Sequence, residues 1–340
     1  QQAPPANTRW HVLVYHSRLP LLCRSALEHE LDGLLNRTDG RSPWQHPWVQ
    51  QALAEFPEQH HVFILCASPV AEVGRDWDLD WAVVEPSSMR SMIQLLGRIR
   101  RHRPEAWAHP NVWLLDTNWR SLQGKEVSYS RPGFEHSHLM LKVKKLGELL
   151  TASQWQRLDA THRIAWPKMP EPLYRLADLE LTRLSTVMLG RPLPNAQDIA
   201  LTEHCVQTFW QSGVHLTGAM QYVHPFRRSQ PEETVAWVSA APDEPLALRQ
   251  FEPRTQTWRD IGHVLSTMST NGLQPHPQVS LWPRWTLIEL LENLELDAGR
   301  PWPERCQRYL SLTLPMGTPE APQRWRHDHW SGFSRFKNDM

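Results

Sequence analysis

The first third of the chain alternates short, continuously apolar runs with longer amphipathic stretches. The apolar runs are residues 10–15, 61–66, 81–86 and 111–116. The spacing of apolar residues predicts helices over 24–36 and 48–56. A third helix is predicted to begin after Ser88, which is a good N-terminal capping residue, and to end near Pro104. Strands without polar alternation are buried on both faces, and strands that alternate with helices form parallel sheets. The pattern therefore predicts an α/β fold, with helices on both faces of a parallel sheet.

The pattern changes after residue 125. Residues 137–158 and 171–190 have helical spacing, and a proline-rich stretch follows at 191–195. Strand-like residues 235–240 and helix-like residues 287–296 then occur in one region. We therefore predict three parts, which are a sheet lobe at 1–136, a helical linker at 137–195 and a smaller mixed α+β C-terminal domain at 196–340.

Composition narrows the class of protein. The 36 basic and 36 acidic residues cancel, so only local clusters can attract a polyanion. The four cysteines lie far apart, which favours neither a zinc site nor a disulfide framework, and we assign no metal ligand. No apolar run reaches the ~18 residues of a membrane helix, and a reducing cytoplasm fits the cysteine usage. The chain begins with a linker-like stretch at Gln1, so we expect it to be the C-terminal piece of a longer protein.

The stretch QLLGRIRR, residues 94–101, is the densest candidate site. On a helix, its polar members and its glycine are spaced so that they share one face: Gln94, Gly97, Arg98 and Arg101. Guanidinium groups suit phosphate oxygens, which indicates a phosphate site. The alternative is a solvated face with salt bridges. Glycine weakens such a face by ~1 kcal/mol relative to alanine, which disfavours this alternative.

Two further polar clusters follow predicted strands, at residues 16–18 and in the loop 67–76. In an open parallel sheet, ligands bind beyond the carboxyl ends of the strands. We therefore expect both clusters and the 94–101 helix face to converge at one edge of the sheet. The alternatives are an ordinary strand-to-helix connection for 67–76, and a strand end with a capping serine for 16–18.

These clusters resemble motifs of superfamily 2 helicases. The spacing Ser68-x-Val70-x-Glu72-x-Gly74-x-Asp76 resembles motif V, and Gln94-x-x-Gly97-Arg98-x-x-Arg101 resembles motif VI. The stretches 15–18 and 72–103 are similar to the CRISPR-associated nuclease-helicase of type I systems, in particular of subtype F. RPGF at 131–134 and HPFRRS at 224–229 are less specific matches to the same subtype. The resemblance implies that 1–136 is the second RecA-like lobe of such a helicase.

The resemblance also implies roles for individual residues. Arg101 would be the arginine finger on the γ-phosphate of ATP, Arg98 a second phosphate contact, and Gln94 a group that positions the attacking water. The nucleotide would lie against Gly74, Asp76 and Gly97. Single-stranded DNA would contact Ser17, Arg18 and Ser68.

Cofactors and partners follow from the same resemblance. ATP and Mg²⁺ would be bound mainly by a first lobe, since this chain has neither the phosphate loop G-x-x-x-x-G-K-[ST] nor an acidic box. Nuclease metals would belong to a nuclease domain. The implied partners are single-stranded DNA, a crRNA-guided surveillance complex, the adaptation integrase and phage-encoded inhibitors, with no membrane. We expect this chain alone to be inactive as an ATPase.

Two other functions remain open from the sequence. The lobe could be a non-catalytic docking module for the surveillance complex or an inhibitor, or the chain could be part of a generic superfamily 2 helicase. Intact Asp76 and Arg101 disfavour the docking module, because docking needs neither residue. The HSR sequence at 16–18 weakly disfavours the generic helicase.

Overall fold

The protein is described by a computed structural model. It describes residues 3–72, 74–105, 107–165, 167–189, 232–267, 276–282, 285–318, 321–328 and 331–335. Contacts between backbone positions divide the chain into two compact units. Unit 1 consists of Gln1–Ala71 and Arg228–Met340, and unit 2 of Glu72–Arg227.

The strands of the described residues are β1 Thr8–Tyr15, β2 His60–Ala67, β3 Ala82–Val84, β4 Val112–Leu114, β5 Glu232–Val238, β6 Ala247–Glu252, β7 Thr257–Asp260, β8 Leu265–Thr267, β9 Val279–Leu281, β10 Ser311–Pro315, β11 Gly317–Thr318, β12 Ala321–Pro322, β13 Trp325–Asp328 and β14 Gly332–Arg335. The helices are α1 Leu21–Leu35, α2 Pro47–Glu55, α3 Met89–Leu96, α4 Trp119–Leu122, α5 Leu146–Leu149, α6 Ala152–Gln156, α7 Thr161–Ile164, α8 Leu176–Leu189, α9 Leu287–Glu292 and α10 Trp302–Tyr309.

Unit 1 contains a parallel sheet with strand order β2-β1-β9. The predicted strands at 10–15 and 61–66 are confirmed as β1 and β2, and the predicted helices at 24–36 and 48–56 as α1 and α2. Helix α1 forms because Leu27, Leu31 and Leu34 fall on one buried face. Strand β9 comes from the last third of the chain and pairs with β1. Unit 1 therefore joins the start of the chain to its last third, and the predicted division at 136 and 195 stays a prediction.

The remaining strands of unit 1 form an antiparallel sheet of order β10-β5-β6-β7, a sheet of order β14-β13-β8 and the short β11-β12 pair. The predicted strand at 235–240 and helix at 287–296 correspond to β5 and α9. A mixed α+β composition of this region is thus confirmed. The HPFRRS sequence at 224–229 lies outside the described residues.

Unit 2 is built on the parallel pair β3 and β4. One face of this pair packs into a core that includes Val84, Met89 and Met92, together with Leu176 and Leu179 from helix α8. Leucines of the helix predicted at 171–190 therefore pack on the same core as helix α3. Residues 137–158, which we predicted to be helical, contain the short helices α5 and α6. The opposite face of the strand pair exposes apolar side chains, since Val83 is 57% and Trp113 is 52% exposed.

Among the described residues, none of the helices has both the length and the apolar character required to cross a membrane.

Candidate functional site

The polar turn after β1, residues 16–18, is held by residues around strand β14 of the same unit, and we call it the β1 turn. The Nε2 atom of His16 lies 2.7 Å from the carbonyl oxygen of Ser331, and its Nδ1 atom accepts from the backbone N–H of Arg18 at 3.0 Å. These partners require a neutral ring with its proton on Nε2. Burial lowers the pKa of His16, the hydrogen bond to Ser331 opposes this, and the charge of Arg18 lowers the pKa further.

The three residues predicted to contact DNA lie at the carboxyl ends of β1 and β2. Ser17 is exposed, and the Arg18 guanidinium lies 5.4 Å from the ring centroid of Trp325. The backbone N–H of Ser68 donates to the carbonyl oxygen of Tyr15 at 3.0 Å, which places Ser68 beside the start of the β1 turn. The structure thus brings these residues together within unit 1.

Helix α3 is shorter than the sequence predicted. Ser88 caps its start by accepting from the backbone N–H of Ser91, as expected, and Gln94 is exposed on the helix. The helix ends at Leu96, and Gly97 is its C-cap. The prediction that the helix continues to Pro104 is wrong, and so is the prediction of one shared helix face for Gln94, Gly97, Arg98 and Arg101.

The helix ends because the following residues pair with a loop, and we call residues 98–103 the arginine segment. The backbone N–H of Leu79 donates to the carbonyl oxygen of Arg98 at 2.9 Å, and that of Arg100 donates to the carbonyl oxygen of Leu79 at 2.9 Å. Arg100 has a φ of +52°, in the left-handed region. An isolated parallel bridge between Leu79 and Ile99 therefore replaces the next turn of the helix.

Arg98 is the buried cation of this segment, since only 5% of it is exposed. Its Nη2 atom donates to the carbonyl oxygen of Glu72 at 2.7 Å. Its Nε and Nη1 atoms are buried and have no hydrogen-bond acceptor among the described residues. Burial lowers the pKa of Arg98, and the positive charge of Arg101 lowers it further, while Asp76 and Glu72 oppose the change. A buried N–H group without an acceptor is costly, which makes Arg98 a candidate to bind an additional acceptor.

Arg101 is more accessible, with about half of its side chain exposed. Its Nε atom lies 2.7 Å from the Oδ1 atom of Asp76, and the Nε2 atom of His102 lies 3.1 Å from the same oxygen. Gly74 is nearby in sequence and has a φ of +71°, with open space where a Cβ would stand. An exposed ion pair of this kind contributes little stability, so Arg101 can exchange Asp76 for another anion at small cost.

Sequence reasoning missed the pair Asp78 and Arg103. Asp78 is fully buried, and its Oδ1 atom accepts from the Nη2 atom of Arg103 at 2.6 Å. The Nη1 atom of Arg103 also lies 2.5 Å from Asp80. Burial opposes the charge of Arg103, but its hydrogen bonds to both carboxylates outweigh this and raise its pKa. The available signal was the alternation of aspartates at 76, 78 and 80, opposite the basic run at 100–103.

The structure places the predicted site residues in two groups. The β1 turn and Ser68 belong to unit 1, whereas Gly74, Asp76, helix α3 and the arginine segment belong to unit 2. Convergence of both groups at one edge stays a prediction. No group of three histidine, cysteine, aspartate or glutamate side chains that could hold a metal ion is found in the described part of the chain.

Helix α3 thus ends in a glycine cap that is followed by the arginine segment, and comparison with known proteins shows what the chain resembles. A family model described as CRISPR-associated nuclease/helicase Cas3, C-terminal, matches residues 1–104. The chain is 38% identical, over 98% of its length, to the CRISPR-associated nuclease/helicase Cas3 subtype I-F/YPEST of Pseudomonas aeruginosa (strain UCBPP-PA14). It is 39% identical, over 72% of its length, to the protein of the same description from Pectobacterium atrosepticum.

The predicted resemblance is confirmed, and the chain corresponds to a C-terminal portion of a Cas3 nuclease/helicase. It spans only 30% and 23% of the lengths of these two relatives. The crystal structure of T. fusca Cas3-AMPPNP matches 96% of the chain, and the chain covers 36% of that protein, at 15% identity and a TM-score of 0.38.

Proposed function

We propose that this chain is the part of an ATP-dependent single-stranded DNA translocase and nuclease that supplies the arginine finger and half of the ATP and DNA sites. The observation that carries the proposal is the buried guanidinium of Arg98, with two nitrogen atoms that have no acceptor among the described residues. A phosphate oxygen is the acceptor that suits a guanidinium best. The homologues are CRISPR-associated nuclease/helicases, which supports the same reading.

In this proposal Arg98 binds a phosphate oxygen from its buried position, and Arg101 leaves Asp76 to bind the γ-phosphate. Phosphoryl transfer needs positive charge at the transferred group, and a well-placed arginine can be worth ~10³–10⁵ in rate. Gln94 would orient the attacking water. Gly74 and Gly97 leave room for the nucleotide, since no side chain stands on either.

The β1 turn would supply backbone contacts to single-stranded DNA through Ser17 and Arg18, with Ser68 beside them. Arginine and serine are common partners of nucleic-acid phosphates. The turn is shaped by a neutral histidine and by residues around strand β14, so the backbone of the turn does not depend on DNA for its position.

ATP and Mg²⁺ would be held mainly by parts of the protein that carry a phosphate loop and an acidic box, and the nuclease metals by a separate nuclease domain. The proposed partners are single-stranded DNA and a crRNA-guided surveillance complex. An adaptation integrase and phage-encoded inhibitors remain predictions of the resemblance alone. We propose that this chain by itself does not hydrolyse ATP and that it acts in the cytoplasm.

The test is DNA-stimulated ATP hydrolysis by the full-length protein that contains this chain, with Arg101→Ala compared to wild type. We expect a loss of about 10³-fold or more in kcat, with nucleotide binding largely kept. Arg157→Ala is the matched control, because Arg157 is an exposed arginine of unit 2 that is also paired with an aspartate, Asp159. Unchanged hydrolysis in folded Arg101→Ala would overturn the motor function and favour a non-catalytic docking module.

A further inference from the structure

Arg103 differs from the other arginines of its segment because every nitrogen of its guanidinium has a protein partner. Its Nε atom lies 3.1 Å from both carboxylate oxygens of Asp78, and its Nη2 atom donates to Asp78 and to the carbonyl oxygen of Leu79. Its Nη1 atom donates to Asp80. Arg98, in contrast, keeps two nitrogen atoms without an acceptor among the described residues. All three guanidinium nitrogen atoms of Arg103 are therefore held by protein groups.

Asp78 is also held by several hydrogen bonds. It is fully buried, and its Oδ2 atom accepts from the backbone N–H of His102 at 3.2 Å in addition to its contacts with Arg103. A buried carboxylate with this many donors fixes the backbone that it contacts, because removing any one partner leaves a buried charge unsatisfied. Asp78 thus holds two consecutive residues at the end of the arginine segment.

The arginine segment is consequently anchored at both ends. Its start is bound by the backbone hydrogen bonds of Leu79 with Arg98 and Arg100. Its end is bound by Asp78. Arg101 lies between these anchors, and its Nε atom pairs with the exposed Asp76. The two anchors fix the direction in which the Arg101 side chain leaves the backbone.

We propose that Asp78 and Arg103 are positioning residues that hold the arginine segment so that Arg101 faces the phosphate of ATP. They act through Arg101 and do not contact the nucleotide. This inference rests on the proposed function, since it assumes that Arg101 acts on ATP. A misplacement of about 1 Å in a catalytic group can cost ~10²-fold in rate, so a small loosening of this pair has a measurable effect.

The experiment is a double-mutant cycle in the full-length protein, with kcat and KM for ATP measured under DNA stimulation. Arg103→Lys keeps the charge but loses the fork that binds both carboxylates. We expect it to lower kcat by about 10- to 100-fold, with KM changed little. In the Arg101→Ala background the same substitution should have no further effect on kcat, because the group that it positions is gone.

A matched control separates positioning from general loss of stability. Arg9 of unit 1 forms a comparable buried fork with Glu58, at 2.9 Å and 2.6 Å. Arg9→Lys should lower the unfolding temperature without lowering kcat. Asp80→Asn is the milder variant, because Asp80 is exposed and its loss leaves no buried charge. It should fold normally and lower kcat by a few-fold, only when Arg101 is present.

The outcomes are distinguishable. If Arg101→Ala keeps full activity, the proposed function fails. If Arg101→Ala is impaired but Arg103→Lys and Asp80→Asn both retain wild-type kcat, the positioning role is overturned. The role is also overturned if these substitutions lower kcat by the same factor with and without Arg101, since that pattern indicates a general structural effect. If Arg103→Lys does not fold, Asp80→Asn alone decides between these results.

Discussion

The arginine segment and the β1 turn are both short polar stretches, but residues at very different sequence distances hold them. The arginine segment is fixed within unit 2 by Asp78, which lies 25 residues from Arg103. The β1 turn is fixed within unit 1 by Ser331, which lies 315 residues from His16. A sequence motif therefore does not reveal how far away its structural support lies. Changes in the last third of the chain should disturb the proposed DNA contacts and leave the proposed phosphate contacts intact.

The largest expected difference between the two regions is in their response to pH. Glu180 of unit 2 is buried beneath helix α3, where it accepts from the backbone N–H of Met89 and pairs with Arg163 at 3.2 Å. Burial raises the pKa of Glu180 from 4.5 to about 7, despite the opposing effect of Arg163. The folded state therefore binds more protons than the unfolded state. Protonated Glu180 contributes to the stability of the fold below pH 4.5, and this contribution is lost as pH rises through 7. The shift corresponds to ~3 kcal/mol.

Hydrogen exchange of peptides from each unit, measured at about pH 5.5 and about pH 8.5, tests this prediction. In Glu180→Gln, protection of helix α3 should fall less with rising pH than in wild type. His16 should act in the opposite sense, because its folded pKa lies below 6.5, so its contribution is present above pH 6.5 and lost as pH falls. His16→Asn should remove that loss, since asparagine can still accept from the backbone N–H of Arg18. If protection changes with pH by the same amount in wild type and in both variants, the predicted difference between the two units is contradicted.

The sequence predicted most of the strands and helices near the candidate site, but not the tertiary contacts that hold the polar stretches in place. The apolar runs located strands β1 to β4, because continuous apolar stretches of that length are buried in parallel sheets. The end of helix α3 could not be located, since the bridge between Leu79 and Ile99 is a tertiary contact that overrides helical spacing. Strand β9 has only three residues, too few to give a periodic signal, so its pairing with β1 was not foreseen.

Some residues of the candidate site could be predicted from the sequence, and others could not. The residues that we propose to face a ligand were predicted from their types and spacing, because arginine and glycine have few other reasons to recur there. The pair Asp78 and Arg103 was missed, because charged residues far apart in sequence have many possible partners. Only the fold selects one of them.

A second prediction concerns the support of the β1 turn by Gly332, whose φ is +68°. A Cβ at this position would lie 3.0 Å from the carbonyl oxygen of Arg18 and 3.0 Å from Leu19. Gly332→Ala should cost about 2 kcal/mol, through backbone strain and through this contact. It should also weaken binding of single-stranded DNA while leaving nucleotide binding unchanged. Chemical unfolding and DNA titration of the full-length protein measure both effects.

The matched control is Gly40→Ala in the same unit. Gly40 has a φ of +75° but no heavy atom within 4 Å of its Cβ position. The Gly40→Ala variant should therefore lose only about 1 kcal/mol of stability, from backbone strain alone, and should leave DNA binding intact. If the two variants behave alike, strand β14 does not support the β1 turn.

The smallest effect is expected inside the arginine segment, at Arg100. Its φ of +52° is disfavoured for β-branched residues and tolerated by asparagine. Its guanidinium lies 4.5 Å from the ring centroid of Trp107, a contact that Arg100→Asn and Arg100→Val remove equally. The valine variant should therefore be less stable than the asparagine variant by about 1 kcal/mol, which chemical unfolding measures. It should also have the lower kcat, since a segment that leaves the left-handed conformation turns Arg101 away from its position. Equal stability and equal kcat in the two variants would mean that the left-handed residue does not set the course of the segment, and that its direction depends on the contacts of Leu79 and Asp78 alone.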